Sequence, residues 1–142
     1  MKRHALLAAA AAALVTPVAL AGGTAKPTER VQLQPLAASP VRATAVLGRR
    51  GRGTQVTVDV SKAPPHARVR AVLNAGTCFK RSASFADAGS ARNNGNGRAH
   101  WTARILFHNG PVDWDTVADG GHILVLIING KAAACGSIPG MS

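Results

Sequence analysis

Residues 41–61 read VRATAVLGRRGRGTQVTVDVS, and this stretch decides the fold class. In the run from Thr54 to Val60 every second residue from Val56 onward is a valine and the residues between are polar, so the three valines point to one face of an extended chain. Residues 43–47 keep the same period of two, and the Gly- and Arg-rich segment 48–53 separates the two runs. This pattern predicts a β-hairpin with one buried face.

The rest of the chain continues in the same way. Apolar residues at a period of two, or on both faces, predict further strands at 69–73, 101–107, 122–128 and 131–135. Trp114 to Ala118 predicts one helical turn, Asn129-Gly130 a two-residue hairpin turn, and Ala86 to Gly97 a long surface loop. Short strands between Gly and Asn turns are typical of a small antiparallel β-sandwich or barrel.

The N-terminal residues have the form of an export signal. Lys2 and Arg3 precede an apolar stretch at 5–20, and Ala19-Leu20-Ala21 has the small-x-small form that signal peptidase requires. We expect a signal peptide at 1–21, cleavage before Gly22, and a secreted or periplasmic product; an uncleaved anchor helix is the alternative. Residues 22–40 are predicted to be a flexible lead-in with one short edge segment, and 41–142 the β-sandwich domain.

Length and charge narrow the class of protein. The 142 residues leave room for one small domain with a modest core, and no apolar run after the signal reaches the length of a membrane span. The formal net charge is +11, with 17 Lys and Arg against six Asp and Glu. Such a balance favours anionic partners, while the scarcity of aromatic residues argues against sequence-specific recognition of nucleic acid.

The chain has two cysteines, Cys78 and Cys135, which lie 57 positions apart. An oxidising compartment allows two thiols to persist as a disulfide, which would stabilise the domain by roughly 4 kcal/mol in the chain-entropy model. The alternative is a two-thiol metal or redox site. No CxxC pair and no neighbouring histidine supports that alternative.

Several short segments resemble a known family. The strand at 56–60 with Ala63-Pro64 after it, the turn Ala75-Gly76-Thr77-Cys78, and the segment Ala134-Cys135-Gly136-Ser137-Ile138 are similar to exported bacterial proteins related to Cu/Zn superoxide dismutase and to the chordin-type (CHRD) domain. The resemblance implies a Greek-key β-sandwich. It also implies a disulfide from the Ala-Gly-Thr-Cys turn to the last strand, which here joins Cys78 to Cys135.

The chain departs from that family at the metal site. Metal-bearing relatives have His-x-His directly before the Ala-Gly-Thr-Cys turn, and here the two positions are Val72 and Asn74. An aliphatic side chain cannot replace an imidazole as a copper ligand. We therefore expect no dismutase activity, no cofactor and no catalytic residues.

Other residue sets offer weaker alternatives. A metal-binding protein or a dismutase-related enzyme could use a non-standard ligand set drawn from four scattered histidines, His66, His100, His108 and His122. Asp113 and Asp115 could form a paired-carboxylate site, although few aromatic residues are present to line a sugar cleft. The ordinary interpretation is that all of these are surface side chains.

Clustered arginines are the remaining signal of function. Arg49, Arg50 and Arg52 crowd one predicted hairpin tip, and they are the candidate anion-binding residues. The leading hypothesis is an exported, non-catalytic β-sandwich with a binding or structural role in the cell envelope. The partners would be anionic envelope components, and the protein would be a monomer or a weak dimer. An electrostatic binder of anionic lipids or polymers is the alternative that uses these arginines directly.

Overall fold

The computed structural model describes residues 28–140, and within that range it describes all side chains except those of residues 83–85. The predicted signal peptide therefore lies outside the described residues. The described chain forms ten strands and one short helix: β1 (Thr28–Pro35), β2 (Arg42–Arg50), β3 (Gly53–Ser61), β4 (Arg68–Gly76), β5 (Arg81–Arg92), β6 (Ala99–Arg104), β7 (Leu106–Phe107), β8 (Gly110–Pro111), α1 (Trp114–Val117), β9 (His122–Ile128) and β10 (Lys131–Ser137).

All strand pairs are antiparallel, and the strands follow the order β6-β3-β2-β1-β10-β9-β4-β5-β7-β8. The sheet bends until β5 and β6 lie beside each other, so that it is nearly closed into a barrel. This confirms the predicted fold class, an all-β antiparallel domain with one disulfide. The Greek-key sandwich arrangement stays a prediction.

The core fills the inside of the bent sheet. Alternate residues of each strand enter it, as the valines of β3 do, and Leu47, Leu73, Ile105 and Leu126 are among its completely buried side chains. A second, smaller apolar cluster lies on the outer surface of β4, β9 and β10. Strand β9 is buried on both sides because its residues alternate between the two clusters, as its continuous apolar run predicts.

Several local predictions are confirmed. The β2–β3 hairpin turns at Gly51-Arg52, and α1 begins at Trp114. Asn129 and Gly130 both have positive φ angles, 52° and 76°, which a two-residue hairpin turn requires.

The predicted flexible lead-in is wrong over Thr28–Pro35, which is strand β1. The short extended segment predicted within it, at Val31–Leu33, is part of this strand, but β1 is not at an edge of the sheet. Residues 28–33 pair with β2, and Gln34 and Pro35 pair with β10, so β1 bridges the two halves of the barrel wall. The physical reason is the burial of Val31 and Leu33 in the core. Two buried side chains and pairing on both sides outweigh the turn-forming residues around them. Residues 22–27 lie outside the described range.

The predicted loop at 86–97 is also wrong for its first half, because β5 continues to Arg92. Ala86 and Ala88 face the core, where small side chains suffice because the indole of Trp101 fills the space beside them. Only the segment between β5 and β6 is a turn. The predicted strand at 101–107 is interrupted at Ile105, whose amide bonds to Thr54 while Leu106 and Phe107 pair with other strands.

A buried carboxyl group gives a prediction about stability. Glu29 is 9% exposed on the core side of β1, its Oε2 atom has no hydrogen-bond partner, and burial raises the pKa of this carboxyl group. A carboxyl pKa that is higher in the folded than in the unfolded state lowers stability as pH rises above the unfolded value. We expect Glu29→Gln to increase the free energy of unfolding by about 1 kcal/mol at pH 7.

Urea denaturation at pH 7 and at pH 3 checks this prediction. The unmodified protein and the Glu29→Gln variant should have the same stability at pH 3, because Glu29 is then largely protonated in both the folded and the unfolded state. If the Glu29→Gln variant is instead less stable than the unmodified protein at pH 7, the Glu29 carboxylate stabilises the fold and the prediction is wrong.

Candidate anion-binding face

The candidate site is the outer surface of β1, β2, β3 and β6. Side chains that alternate with the core residues of these strands point outward, and the strand register places Gln32, Thr44, Asp59 and His100 opposite one another in a row across all four strands. Rows on either side are also almost wholly polar. We call this surface the basic face, and its outward side chains are those of Thr28, Arg30, Gln32, Gln34, Arg42, Thr44, Val46, Gln55, Thr57, Asp59, Ser61, Arg98, His100, Thr102 and Arg104.

An open groove of about 550 Å³ runs over one end of the basic face. Gln32 and Gln34 of β1 form one side, Arg42 and Asp59 lie along it, and Arg98 and His100 form the other side. A smaller depression of about 390 Å³, next to Arg50, Gln55 and Thr57, continues the surface towards the hairpin tip. A long ligand could therefore lie across the whole face.

Positive charge dominates this surface. Arg30, Arg42, Arg98 and Arg104 are exposed, and within residues 28–140 none of their guanidinium groups forms an ion pair with a carboxylate. Among the described residues, one acidic side chain points outward from this face, that of Asp59, and it contacts Nδ1 of His100. Four cations and one partnered carboxylate give a face suited to anions.

The arginines predicted as the anion-binding site lie at the tip of the β2–β3 hairpin, and the structure does not bring all three onto one surface. Arg49 forms an ion pair with Asp115 at 3.1 Å, and Arg50 donates a hydrogen bond to the side-chain oxygen of Gln55. Arg52 lines a shallow depression that also contains Asp113 and Asp115. Acidic side chains thus partly neutralise the tip. Arg49 and Arg50 both line the smaller depression beside the basic face, and of these two Arg50 has no carboxylate partner among the described residues.

The four histidines considered as metal ligands are not brought together. His66 lies in the turn before β4, His108 in the turn between β7 and β8, and His100 on the basic face. In the part of the chain that the structure describes, no group of three His, Cys, Asp or Glu side chains is placed so that it could hold a metal ion.

His122, the fourth histidine, lies at the start of β9 against Asp119. Its Nδ1 is 2.9 Å from the Asp119 carboxylate, which also accepts a hydrogen bond from the backbone amide of Gly121 at 2.7 Å. The hydrogen bond from the Gly121 amide is the main reason that the pKa of Asp119 is lowered, and the contact with His122 lowers this pKa further. This arrangement joins α1 to β9 and is structural.

Cys78 and Cys135 form the predicted disulfide, which joins the turn after β4 to β10. Val72 and Asn74, the two positions compared above with His-x-His, lie in β4 just before this turn. Val72 is part of the outer apolar cluster, and Asn74 is buried and donates a hydrogen bond to the carbonyl oxygen of Ser82. Val72 therefore packs in this cluster, whereas Asn74 links β4 to β5 through its amide nitrogen and leaves its Oδ1 atom without a hydrogen-bond partner in the described part of the chain.

No protein-family model and no curated protein sequence matches this chain. The interpretation of the basic face therefore depends on its own geometry and charge. No helix among residues 28–140 is long and apolar enough to cross a membrane.

The four arginines of the basic face form no recognisable motif in the sequence because they are far apart in the chain. The signal that could have found them is the alternation within each strand: Arg30, Arg42 and Arg104 all occupy positions one residue away from a buried apolar residue. Only the cross-strand register then shows that these positions share a face.

Proposed function

We propose that this chain is an exported, non-catalytic β-sandwich protein that binds an anionic polymer of the cell envelope across its basic face. The observation that carries the proposal is the set of four arginines without carboxylate partners around a polar groove, described above. Guanidinium groups form strong, charge-assisted hydrogen bonds with phosphate, sulfate and carboxylate groups.

The shape of the face favours a polymer over a small anion. Outward side chains that are two residues apart on a strand are separated by roughly 7 Å, and neighbouring strands by about 5 Å. Arg98 and Arg104 lie near opposite ends of β6, so the positive charge is spread over several such spacings. A chain with repeated acidic groups could contact several of these arginines at once, whereas a single small anion could contact one or two.

Export and ancestry are parts of the same proposal. The residues at 1–21 have the form of a signal peptide, and a disulfide is typical of proteins outside the reducing cytosol. The link from the Ala-Gly-Thr-Cys turn to β10 agrees with a relationship to the dismutase-like and CHRD-like domains. Val72 and Asn74, in place of two histidines, support a metal-free member without enzymatic activity.

The test measures binding of fluorescently labelled dextran sulfate, with neutral dextran of the same length as a control polymer. We expect binding that weakens as salt rises, and no binding of neutral dextran. Replacing Arg42 and Arg98 together with serine should weaken binding about tenfold at low ionic strength, since each exposed charge contact contributes up to about 1 kcal/mol.

Two matched double variants locate the site. Arg68→Ser with Arg92→Ser removes the same charge from β4 and β5, and Arg49→Ser with Arg52→Ser removes it from the hairpin tip. Both should bind nearly as tightly as the unmodified protein. If the β4–β5 variant loses as much affinity as the variant in Arg42 and Arg98, the binding depends on net charge and the basic face is not the site.

A further inference from the structure

One side chain protrudes on the half of the barrel wall that lies away from the basic face. Phe79 is 102% exposed in the turn between β4 and β5, directly after Cys78. Among the described residues the other large exposed apolar side chain is that of Leu106, at 45%. A single exposed apolar side chain is common on protein surfaces, so the role of Phe79 depends on the residues around its turn.

The turn that carries Phe79 is held firmly in place. The amide of Lys80 donates to both the carbonyl and the hydroxyl oxygen of Thr77, and the amide of Thr77 donates to the carbonyl of Lys80. Gly76 has a φ of 100°, and a Cβ atom there would lie 2.5 Å from the carbonyl oxygen of Lys80. The disulfide of Cys78 fixes the centre of the turn to β10. The exposed ring is therefore presented on an ordered support, which reduces the entropy cost of docking.

Apolar surface continues from this turn along the barrel wall. Cys78 packs on the outer apolar cluster, together with three other partly exposed side chains, those of Leu36, Ile127 and Ala132. We call Phe79 and these four residues the apolar strip. Ile127 and Ala132 face each other across β9 and β10, so the strip extends away from the disulfide over two strands.

Cationic side chains adjoin the turn that carries Phe79. Lys80 and Arg81 follow Phe79 directly; both are exposed and make no ion pair within residues 28–140. The acidic residues on this half of the wall are already engaged. Asp87 pairs with Arg70, and Asp119 contacts His122.

We propose that this surface docks on an anionic lipid bilayer, with the ring of Phe79 inserted at the boundary between headgroups and acyl chains. Lys80 and Arg81 would then face the lipid phosphates. An apolar tip with a cationic rim has the composition of a peripheral membrane anchor. A stable protein interface needs a wide area of complementary contact, and here one ring protrudes while the rest of the strip is half-buried.

Tryptophan fluorescence gives a direct test at this position. The two native tryptophans, Trp101 and Trp114, are buried, so the emission of a Phe79→Trp variant changes mainly through its new indole. We expect a blue shift when this variant meets vesicles of phosphatidylglycerol and phosphatidylcholine, and none with phosphatidylcholine alone. A Leu106→Trp variant, the matched control, should show no shift with either.

Sedimentation with the same vesicles measures affinity. Phe79→Ser should bind the mixed vesicles about tenfold more weakly, the range expected for losing one inserted aromatic side chain. Lys80→Ser with Arg81→Ser should also weaken binding by about tenfold or more, and Leu106→Ser should leave it unchanged. All these positions are exposed, so the variants should fold as the unmodified protein does.

Three results would overturn the proposal. One is an emission from the Phe79→Trp variant that does not move with anionic vesicles at low ionic strength. Another is a blue shift without vesicles that grows with protein concentration, which would assign the strip to a second copy of this chain. The third is vesicle binding that is lost in the variant of Arg42 and Arg98 but kept in Phe79→Ser. In that case lipid binds the basic face, and the function proposed above would stand without this second surface.

Discussion

Replacing Cys78 and Cys135 together with serine is expected to lower the free energy of unfolding by about 4 kcal/mol. The disulfide closes a loop across 57 positions, and its loss gives the unfolded chain many more conformations. A domain of this size is stable by only about 5–15 kcal/mol, so the loss is a large share of the total. Urea denaturation of both proteins measures the difference, and the thermal midpoint should fall by about 15–30 °C.

Reduction provides the control for this prediction. A reductant should destabilise the unmodified protein to about the level of the double variant, and it should leave the double variant unchanged. Cys78 and Cys135 are the only cysteines in the chain, so no other bridge can form. A difference below about 1 kcal/mol would show that the folded protein gains nothing from the link, for instance because the outer apolar cluster holds the turn by itself.

Replacing Trp101 with alanine is expected to cost about 3–5 kcal/mol of stability, the range for removing a large buried aromatic side chain. Trp101 is 8% exposed and lies where β5 and β6 meet without forming a strand pair. Its indole nitrogen donates a hydrogen bond to the carbonyl oxygen of Ala88 at 3.0 Å, which ties the two strands together. Chemical denaturation of the variant measures the loss.

Two further variants separate packing from the hydrogen bond. Trp101→Phe keeps most of the ring but not the donor, so it should cost less than the alanine variant. Leu106→Ala, at a half-exposed position nearby in the chain, should cost well under 1 kcal/mol. Gly89 shows how closely the indole is enclosed, since a Cβ atom there would lie 2.7 Å from the indole nitrogen. If Trp101→Ala lowers the free energy of unfolding by no more than Leu106→Ala does, Trp101 does not have this role in joining β5 and β6.

The sequence predicts those strands and turns whose pattern is contained in a few adjacent residues. The strict alternation of β3 and the Asn129-Gly130 turn are examples, because period and turn chemistry are properties of a few adjacent residues. Strand β5 could not be found in this way. Its alanines are buried only because Trp101 lies beside them, and Trp101 belongs to a different strand.

The basic face could not be predicted from the sequence, for a related reason. Arg49, Arg50 and Arg52 stand together in the sequence, but the fold places acidic side chains beside two of them. Arg30 and Arg98 are 68 positions apart and reach one surface only through the pairing of four strands. When the pairing of strands brings distant arginines together, the sequence contains no contiguous basic motif that could be recognised.

The double pairing of β1 also constrains the order of events during folding. The first described strand completes its hydrogen bonding only against β10, the last one, about a hundred positions later in the chain. A polypeptide that emerges from a ribosome or a translocation pore with its N-terminus leading must keep β1 half-paired until β10 has followed. We therefore expect slow closure, in milliseconds to seconds, as the large sequence separation of its contacts implies. During that interval the free edge of β1 is open to chaperones, and also to the same edge of another chain.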